Sequence, residues 1–194
     1  MPLLNPAPAW VFPRSSWLTV WHGCTTVDKI AIENGGQGGI DPSRGRAATD
    51  FGRGFYTTTI KRQARQWAWA RYYHPKFKRQ TNYQPVILRF EIDRFELAEL
   101  ASLSFCLGSA ADKDFWSLVQ HCRGSTSQTI HDHAGPVSEN GQWYDVVSGP
   151  VAAFWKQCVA MRDADQISFH TTKGAGLLNK AIQNNKYKWF PVTP

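Results

Sequence analysis

The sequence predicts an α+β domain in which short strands and helices are interspersed without a regular order. Strand-like runs rich in Val, Ile, Trp and Phe recur along the chain, helical periodicity separates some of them, and loops alone connect others. This order does not favour a doubly wound sheet, which requires regular alternation of strand and helix. The length of 194 residues suits one domain with a substantial core.

The first half of the chain is predicted to contain an arm, three strands and two helices. Residues 1–16 hold four prolines and are expected to form an irregular N-terminal arm before a single domain over 17–194. Strands are expected at 17–22, 54–58 and 85–92, with a mobile glycine-rich loop over 35–45. The expected helices are 26–34, with Val27, Ile30 and Ala31 on one apolar face, and 61–73, which buries Ala64, Trp67 and Ala68.

The second half begins with residues 93–110, whose pattern indicates no element. A helix is predicted at 113–121, with Phe115, Leu118 and Val119 facing inward, and a polar loop at 124–142. The remaining expected elements are a strand at 144–148, a helix from Pro150 to Met161, a strand at 166–170, a helix at 172–182 and a strand at 186–190.

Charge and composition narrow the classes of partner. The net charge of +7 favours anionic partners, which include dinucleotides, nucleic acids and acidic proteins. No apolar stretch approaches the ~20 residues of a membrane helix, and no secretion signal is recognisable, so we expect a cytoplasmic protein without a membrane partner. The widely spaced Cys24, Cys106, Cys122 and Cys158 fit no zinc or redox motif and are expected to be free thiols.

Two motifs contain the residues that are best suited to bind a ligand. His22-Gly23 ends the apolar run from Trp17 to Trp21, and such a pair offers a side-chain hydrogen bond beside an unobstructed backbone. The second motif is Asp50-Phe51-Gly52-Arg53-Gly54-Phe55-Tyr56-Thr57-Thr58. Its glycines permit a close approach, and its tyrosine can stack on a flat heteroaromatic ring. Each motif resembles one wall of a nicotinamide pocket.

At these residues the chain resembles the ADP-ribosyltransferase superfamily and, more narrowly, its bacterial DUF3990 branch. Ordered blocks over roughly residues 18–182 carry the resemblance. Besides Trp21-His22-Gly23 and the Asp50 motif, they are Gln63-Ala64-Arg65-Gln66-Trp67-Ala68, Tyr144-Asp145 through Gly149-Pro150 to Ala152, and Asp165-Gln166-Ile167-Ser168-Phe169-His170-Thr171.

The resemblance implies two small sheets packed at an angle around a cleft that holds NAD as co-substrate. It implies that His22 binds a ribose, that the Gly23 backbone binds the nicotinamide carboxamide, and that Tyr56 stacks on the nicotinamide ring. Trp67 would be a second aromatic wall or a core residue. The implied NAD-binding set is Trp21, His22, Gly23, Gly54, Phe55, Tyr56, Thr57 and Trp67, and the implied catalytic set is His22, Tyr56 and Gln166.

One position departs from the family pattern. Related transferases place a glutamate where this chain has Gln166, and a glutamine supplies no charge to an oxocarbenium ion. The sequence leaves open a slow transferase, catalysis by Asp165 or another acid such as Asp145, and an NAD-binding relic. Asp50 is expected to orient Arg53 or to cap a turn. His131-Asp132-His133 offers no third ligand at a set spacing, so no metal site is expected.

The resemblance also implies a bacterial toxin or effector that attaches ADP-ribose to a macromolecule, with a possible antitoxin and possible delivery into another cell. Residues 61–79 interleave basic and aromatic side chains without an acid, a pattern that suits stacked bases and phosphates or a solvated helix face. The acceptor is therefore expected to be RNA, DNA or a protein. The alternatives are a non-catalytic module that binds NAD or nucleic acid, and an NAD glycohydrolase.

Overall fold

The computed structural model describes residues 16–34, 39–74, 83–105, 113–124 and 144–193. Over these ranges the chain forms two small β-sheets and five α-helices, so the predicted α+β class is confirmed. Almost all of the N-terminal arm, the loop with His131-Asp132-His133, and Cys106 lie outside the described residues. Within them, no helix is both long and apolar enough to cross a membrane.

The first sheet has the strand order β1-β3-β7, and its neighbouring strands are antiparallel. Its strands are β1 (Trp17–Thr25), β3 (Pro85–Asp93) and β7 (Tyr187–Pro191). Both faces of β3 are covered, and its first four residues are buried. Helix α2 (Lys61–Tyr72) packs on one face through Ala64 and Ala68. The other face belongs to the main core.

The second sheet has the order β2-β6-β5-β4. Its strands are β2 (Phe55–Thr57), β4 (Ser102–Ser104), β5 (Val146–Phe154) and β6 (Val159–Phe169). β4 is parallel to β5, and the other neighbours are antiparallel. The predicted strands at 54–58, 85–92, 166–170 and 186–190 are therefore confirmed to within a few residues, although β6 starts earlier.

The main core lies between the two sheets. Val20, Leu88 and Phe90 of the first sheet share one buried cluster with Ile167 and Phe169 of the second. Helix α5 (Thr172–Gln183), capped by the Thr171 hydroxyl, adds further apolar side chains to this cluster. A second cluster covers the outer face of the second sheet with α4 (Lys113–Gly124), whose Phe115, Leu118 and Val119 face inward as predicted.

The predicted helix over 150–161 is wrong, because this segment forms the hairpin β5–β6. Pro150 suits the first turn of a helix, but here it pairs with Asp165 in the ladder. A register shift follows it, and the Ala152 N–H donates to the Asp50 carboxylate at 2.8 Å. The Asp50 side chain thus accepts from a backbone N–H at the register shift of β5. A short 3₁₀ turn, Trp155–Gln157, and Cys158 at φ 53° then reverse the chain.

In two helices the buried side chains differ from those that the apolar pattern indicates. Helix α1 (Thr26–Asn34) forms as predicted but exposes Val27 and Ile30 and turns Ile32 towards the core. The Asp28 carboxylate sets this orientation, because it binds both Thr25 at the helix start and Arg71 of α2. Trp67 is also exposed rather than buried with Ala64 and Ala68.

The two segments for which the sequence indicates no helix or strand also acquire structure. Residues 93–110 contain helix α3 (Arg94–Ala98), capped by the Asp93 carboxylate, and strand β4. The expected mobile loop over 35–45 contains a short 3₁₀ helix, Pro42–Arg44, with the Asp41 side chain as its cap. Both helices begin with an aspartate whose carboxylate accepts from a backbone N–H two residues later.

Candidate functional site

The two sheets meet at one bridge and then separate. Trp21 of β1 and Thr58, just after β2, exchange both backbone hydrogen bonds, at 2.7 and 2.9 Å. If the antiparallel register continued, Gly23 would lie opposite Tyr56. No backbone hydrogen bond joins Gly23 to Tyr56, while the other edges of the two strands stay paired, β2 with β6 through Tyr56 and Ser168, and β1 with β3 through Gly23 and Ile87. We call the opening between Gly23 and Tyr56 the strand gap.

The Gly23 backbone is directed into the strand gap. Backbone groups alternate sides along an antiparallel strand, so the N–H and C=O of Gly23 point the same way as those of Trp21, towards β2. No described residue forms a hydrogen bond with them. The α-carbon faces α2 so closely that a β-carbon would lie 2.0 Å from Ala64 O and 2.8 Å from Ala68 N. Glycine is therefore required by the packing of α2.

His22 bridges the strand gap. Its Nδ1 lies 2.6 Å from Tyr56 O, and its ring stacks on Phe55 with the centroids 4.4 Å apart. A carbonyl oxygen can only accept, so Nδ1 carries the proton and Nε2 of the neutral ring is an acceptor. Burial lowers the pKa of His22 below its usual 6.5, with smaller opposing effects from the Tyr56 carbonyl and Asp28. The ring is therefore neutral at physiological pH.

The lowered pKa predicts acid sensitivity. The unfolded chain takes up a proton on His22 below about pH 6.5 while the folded chain resists it, so stability is complete above that pH and is lost as the pH falls. His22→Gln keeps a donor for Tyr56 O but does not titrate. Thermal unfolding at pH 7.5 and pH 5 should show a smaller loss for His22→Gln than for the unmodified protein, and equal losses would contradict this assignment.

The hydroxyl of Tyr56 is engaged in hydrogen bonds, and its ring packs on neighbouring rings. The hydroxyl accepts from Phe51 N–H at 2.9 Å and donates to Gly52 O at 2.7 Å, so it is held within the turn before β2. The ring is stacked on Phe51 and meets His170 edge-on. Burial raises the pKa of Tyr56 well above its usual 10. The phenol is therefore neutral and unsuited to proton transfer at physiological pH.

Trp67 lies on the edge of α2 nearest the second sheet. Gln63, one turn earlier on that edge, donates from Nε2 to Asp165 O at 2.7 Å and accepts at Oε1 from Asp165 N–H at 3.1 Å. The Trp67 side chain is 51% exposed, whereas Ala64 and Ala68 beside it are fully buried against β1. The indole of Trp67 is thus exposed to solvent beside Ala64 and Ala68, the helix residues that cover Gly23.

Asp165 joins β6 to the start of α2. Its carboxylate is 7% exposed and accepts from the Thr58 hydroxyl, the Thr59 hydroxyl and the Thr59 N–H, the last at 2.9 Å. All of these donors belong to the connection between β2 and α2. The geometry indicates that Asp165 holds this connection in place.

Gln166 lies in a second polar cluster on the opposite face of β6. Its Nε2 donates to Asp50 Oδ2 and to Pro150 O, each at 2.7 Å. Arg123 of α4 donates to Asp50 Oδ1 at 2.5 Å. We call Asp50, Arg123, Ala152 and Gln166 the Asp50 cluster. Sequence reasoning missed Arg123, whose contact with Asp50 spans 73 residues.

The structure places the other candidate residues in packing roles. Asp50 does not orient Arg53, whose guanidinium instead donates to Ser43 O and Gly45 O. The Trp21 side chain packs on Phe190 on the α2 side of the first sheet, away from the His22 ring. A β-carbon on Gly54 would lie 3.0 Å from His170 Nδ1, so this glycine allows the turn to approach β6.

Thr57, Asp145 and Cys24 are each held within the fold. The Thr57 hydroxyl donates to Ile167 O at 3.0 Å. Asp145 accepts from the Thr171 hydroxyl and the Ala101 N–H, so it links β5 to α5 and lies outside the strand gap. Burial raises the pKa of Cys24, which argues against a nucleophilic thiolate there. The described residues contain no group of three His, Cys, Asp or Glu side chains placed to hold a metal ion.

The comparisons with known proteins agree with the resemblance at the level of the family. No curated protein and no solved structure gives a significant match. The sequence matches the family described as "Protein of unknown function (DUF3990)" over residues 18–179, which include the strand gap, α2 and the Asp50 cluster. Because this match covers most of the chain, the protein belongs to the DUF3990 family.

Proposed function

We propose that the protein is an NAD-dependent ADP-ribosyltransferase that modifies a macromolecular acceptor. The observation that carries the proposal is the strand gap, where two sheets part and direct an unbonded glycine backbone towards an imidazole and an aromatic strand. A backbone N–H and C=O side by side suit a primary carboxamide, which is both acceptor and donor. The nicotinamide of NAD carries this group on a flat cationic ring.

Each residue of the strand gap then has a role. Gly23 would bind the carboxamide, and the exposed indole of Trp67 would cover the pyridinium ring, because cations and flat rings bind aromatic faces. Nε2 of His22 would accept a hydrogen bond from a ribose hydroxyl. Tyr56 would form the wall opposite Gly23 with its ring, since its hydroxyl is engaged.

The reaction needs little proton transfer at the leaving group. Cleavage of the bond between C1′ and the pyridinium nitrogen leaves both electrons on nicotinamide, which departs neutral. The sugar becomes an oxocarbenium ion that an acceptor nucleophile captures with loss of its proton. The protein would assist by fixing nicotinamide and by placing acceptors, including Gln166, near the developing positive charge.

The proposal is tested by incubating the purified protein with NAD labelled in its adenylate, in the presence of bacterial lysate treated with nuclease or with protease. We expect release of nicotinamide and transfer of label to one macromolecular fraction, and the treatment that removes the label identifies the acceptor class. Absence of both nicotinamide release and label transfer would contradict the proposal.

Trp67 provides a prediction about affinity. Stacking on an aromatic side chain contributes about 1–3 kcal/mol, so Trp67→Ala should weaken NAD binding by roughly 5- to 150-fold. The side chain is half exposed, so the unfolding temperature should barely change. Calorimetric titration with NAD measures the affinity. Trp189→Ala, at a comparably exposed tryptophan on β7, is the matched control and should bind NAD normally. Equal affinities for Trp67→Ala and the control would contradict the assignment.

A second candidate is a non-catalytic NAD-binding module, and the neutral Gln166 is the observation that favours it. Without a carboxylate, the oxocarbenium ion receives less electrostatic stabilisation. Thermal stabilisation by NAD without nicotinamide release would support the module. Free ADP-ribose without a labelled acceptor would instead support a third candidate, an NAD glycohydrolase.

The acceptor, the compartment and the biological role belong to the proposal too. The exposed side of α2 carries Arg62, Arg65 and Trp67, and the chain carries net charge +7, which favours a nucleic acid or an acidic protein. We propose action in the bacterial cytoplasm or, after delivery, in another cell, as a toxin or effector that a cognate antitoxin could neutralise.

A further inference from the structure

The Asp50 carboxylate is buried and completely surrounded by donors. It is 2% exposed and lies in the turn before β2. Arg123 approaches Oδ1 at 2.5 Å, while the Ala152 N–H and Gln166 Nε2 donate to Oδ2 at 2.8 and 2.7 Å. One carboxylate thus connects α4, the bulge of β5 and the side chain of Gln166. The guanidinium balances a single negative charge.

This environment determines how the Gln166 amide is oriented. Both groups near its nitrogen, the Asp50 carboxylate and Pro150 O, are acceptors only, so the NH₂ must face them. The amide oxygen then points away from the cluster. The Gln166 residue is 7% exposed, and no described residue donates to Oε1, so this oxygen keeps its lone pairs available for a ligand.

We propose that Asp50 is a positioning residue that holds Gln166 with its amide oxygen presented to the nicotinamide ribose. The inference rests on the proposed function. A carboxylate bonded to the NH₂ also polarises the amide, which makes Oε1 a stronger acceptor for a ribose hydroxyl. The resemblance implies a negatively charged glutamate at position 166. In this protein the negative charge lies on Asp50, which accepts a hydrogen bond from the Gln166 amide.

The same geometry accounts for a glutamine at position 166. A glutamate there would place a second carboxylate against Asp50 and Pro150 O without any proton between them. Two carboxylates in contact share a proton, so one of them has a raised pKa. Gln166 is therefore the partner that the buried Asp50 requires, rather than a degraded catalytic glutamate.

The test compares three variants: Gln166→Glu, Asp50→Asn and the double exchange. Their unfolding temperatures are measured from pH 5 to pH 8, and their kcat and KM for nicotinamide release at both limits. The other titratable groups facing Asp50 are Arg123 and Cys122 of α4 and Tyr56 of β2. Burial raises the pKa of Cys122 to about 12 and also raises the pKa of Tyr56, so neither the thiol nor the phenol titrates within this range.

We expect the unfolding temperature of Gln166→Glu to fall more than that of the unmodified protein as the pH rises from 5 to 8. The unfolded glutamate ionises near pH 4.3, whereas the folded pair keeps its proton to higher pH, so stability falls through this window. In the double exchange, the amide introduced at position 50 donates to the glutamate, and the excess pH dependence should disappear. A Gln166→Glu protein that follows the unmodified pH curve would overturn the pairing.

For turnover, we expect Asp50→Asn to lower kcat by about 10- to 100-fold with little change in KM, because the Gln166 amide then turns its NH₂ outward. Gln166→Glu should lose a similar factor at pH 8, and the double exchange should recover most of it. Asp93→Asn, at the carboxylate that caps helix α3 outside the cluster, is the control and should leave kcat unchanged. Losses that simply multiply in the double exchange would overturn the positioning role.

These two readouts separate the inference from the proposed function. An unmodified protein that neither binds nor cleaves NAD contradicts the proposed function, and it removes the ribose as the partner of Gln166. The stability measurements still decide whether Asp50 and Gln166 form the interacting pair described above.

Discussion

Gly23→Ala is expected to destabilise the protein by about 3 kcal/mol and to abolish NAD binding. The added methyl would lie 2.0 Å from Ala64 O and 2.8 Å from Ala68 N, both of them backbone atoms of α2 that no side-chain rotation can move. The helix must therefore withdraw from β1. Since α2 also carries Trp67, displacement of the helix would move the indole that we propose to cover the nicotinamide ring.

Denaturant unfolding and NAD titration of Gly23→Ala measure the two effects. Gly176→Ala is the matched control, because a β-carbon at that position in α5 would meet no atom within 4 Å apart from its chain neighbours and the backbone of its own helix. This second exchange should be neutral or should stabilise the helix by about 0.5–1 kcal/mol. A Gly23→Ala protein as stable as Gly176→Ala would contradict the described contact between β1 and α2.

Asp165→Ala is expected to cost about 2–3 kcal/mol of unfolding free energy, since one buried donor and two donors of the exposed Thr59 would lose their acceptor at once. These donors are the Thr58 hydroxyl and the hydroxyl and N–H of Thr59, all in the connection between β2 and α2. Their release would loosen both walls of the strand gap, so NAD affinity should fall together with stability.

Asp165→Asn separates the structural role of this residue from a catalytic one. The asparagine keeps an oxygen for the Thr59 N–H and removes the negative charge, so most of the stability should remain. If Asp165 is structural, turnover of NAD by this variant should stay within about threefold of the unmodified protein. A loss of turnover as large as that of Asp165→Ala, in a variant that remains folded, would identify Asp165 as the catalytic acid instead.

Elements with a strong local pattern could be predicted from the sequence. The apolar runs of β1 and β3 and the inward stripe of α4, with Phe115, Leu118 and Val119, specify their own secondary structure. The two motifs of the strand gap also lie side by side, because His22 Nδ1 is 2.6 Å from the backbone oxygen of Tyr56.

Features that depend on distant contacts could not be predicted. The local sequence at Pro150 is typical of a helix start. The segment is a strand instead, and the N–H of Ala152 in the bulge after Pro150 donates to the Asp50 carboxylate, about 100 residues earlier in the chain. Whether Trp67 is buried or exposed depends on which edge of α2 the second sheet covers. Helical periodicity alone does not determine which edge that is. Asp50 and Arg123 form their ion pair across 73 residues, which no motif links.

The most direct test of this account is a crystal structure with an NAD analogue whose bond between ribose and nicotinamide cannot be cleaved. We expect the carboxamide on the N–H and C=O of Gly23, the ring against Trp67, and a hydroxyl of the nicotinamide ribose on Oε1 of Gln166. An analogue bound elsewhere on the molecule, or no binding at millimolar concentration, would contradict the proposal that the strand gap is an NAD site.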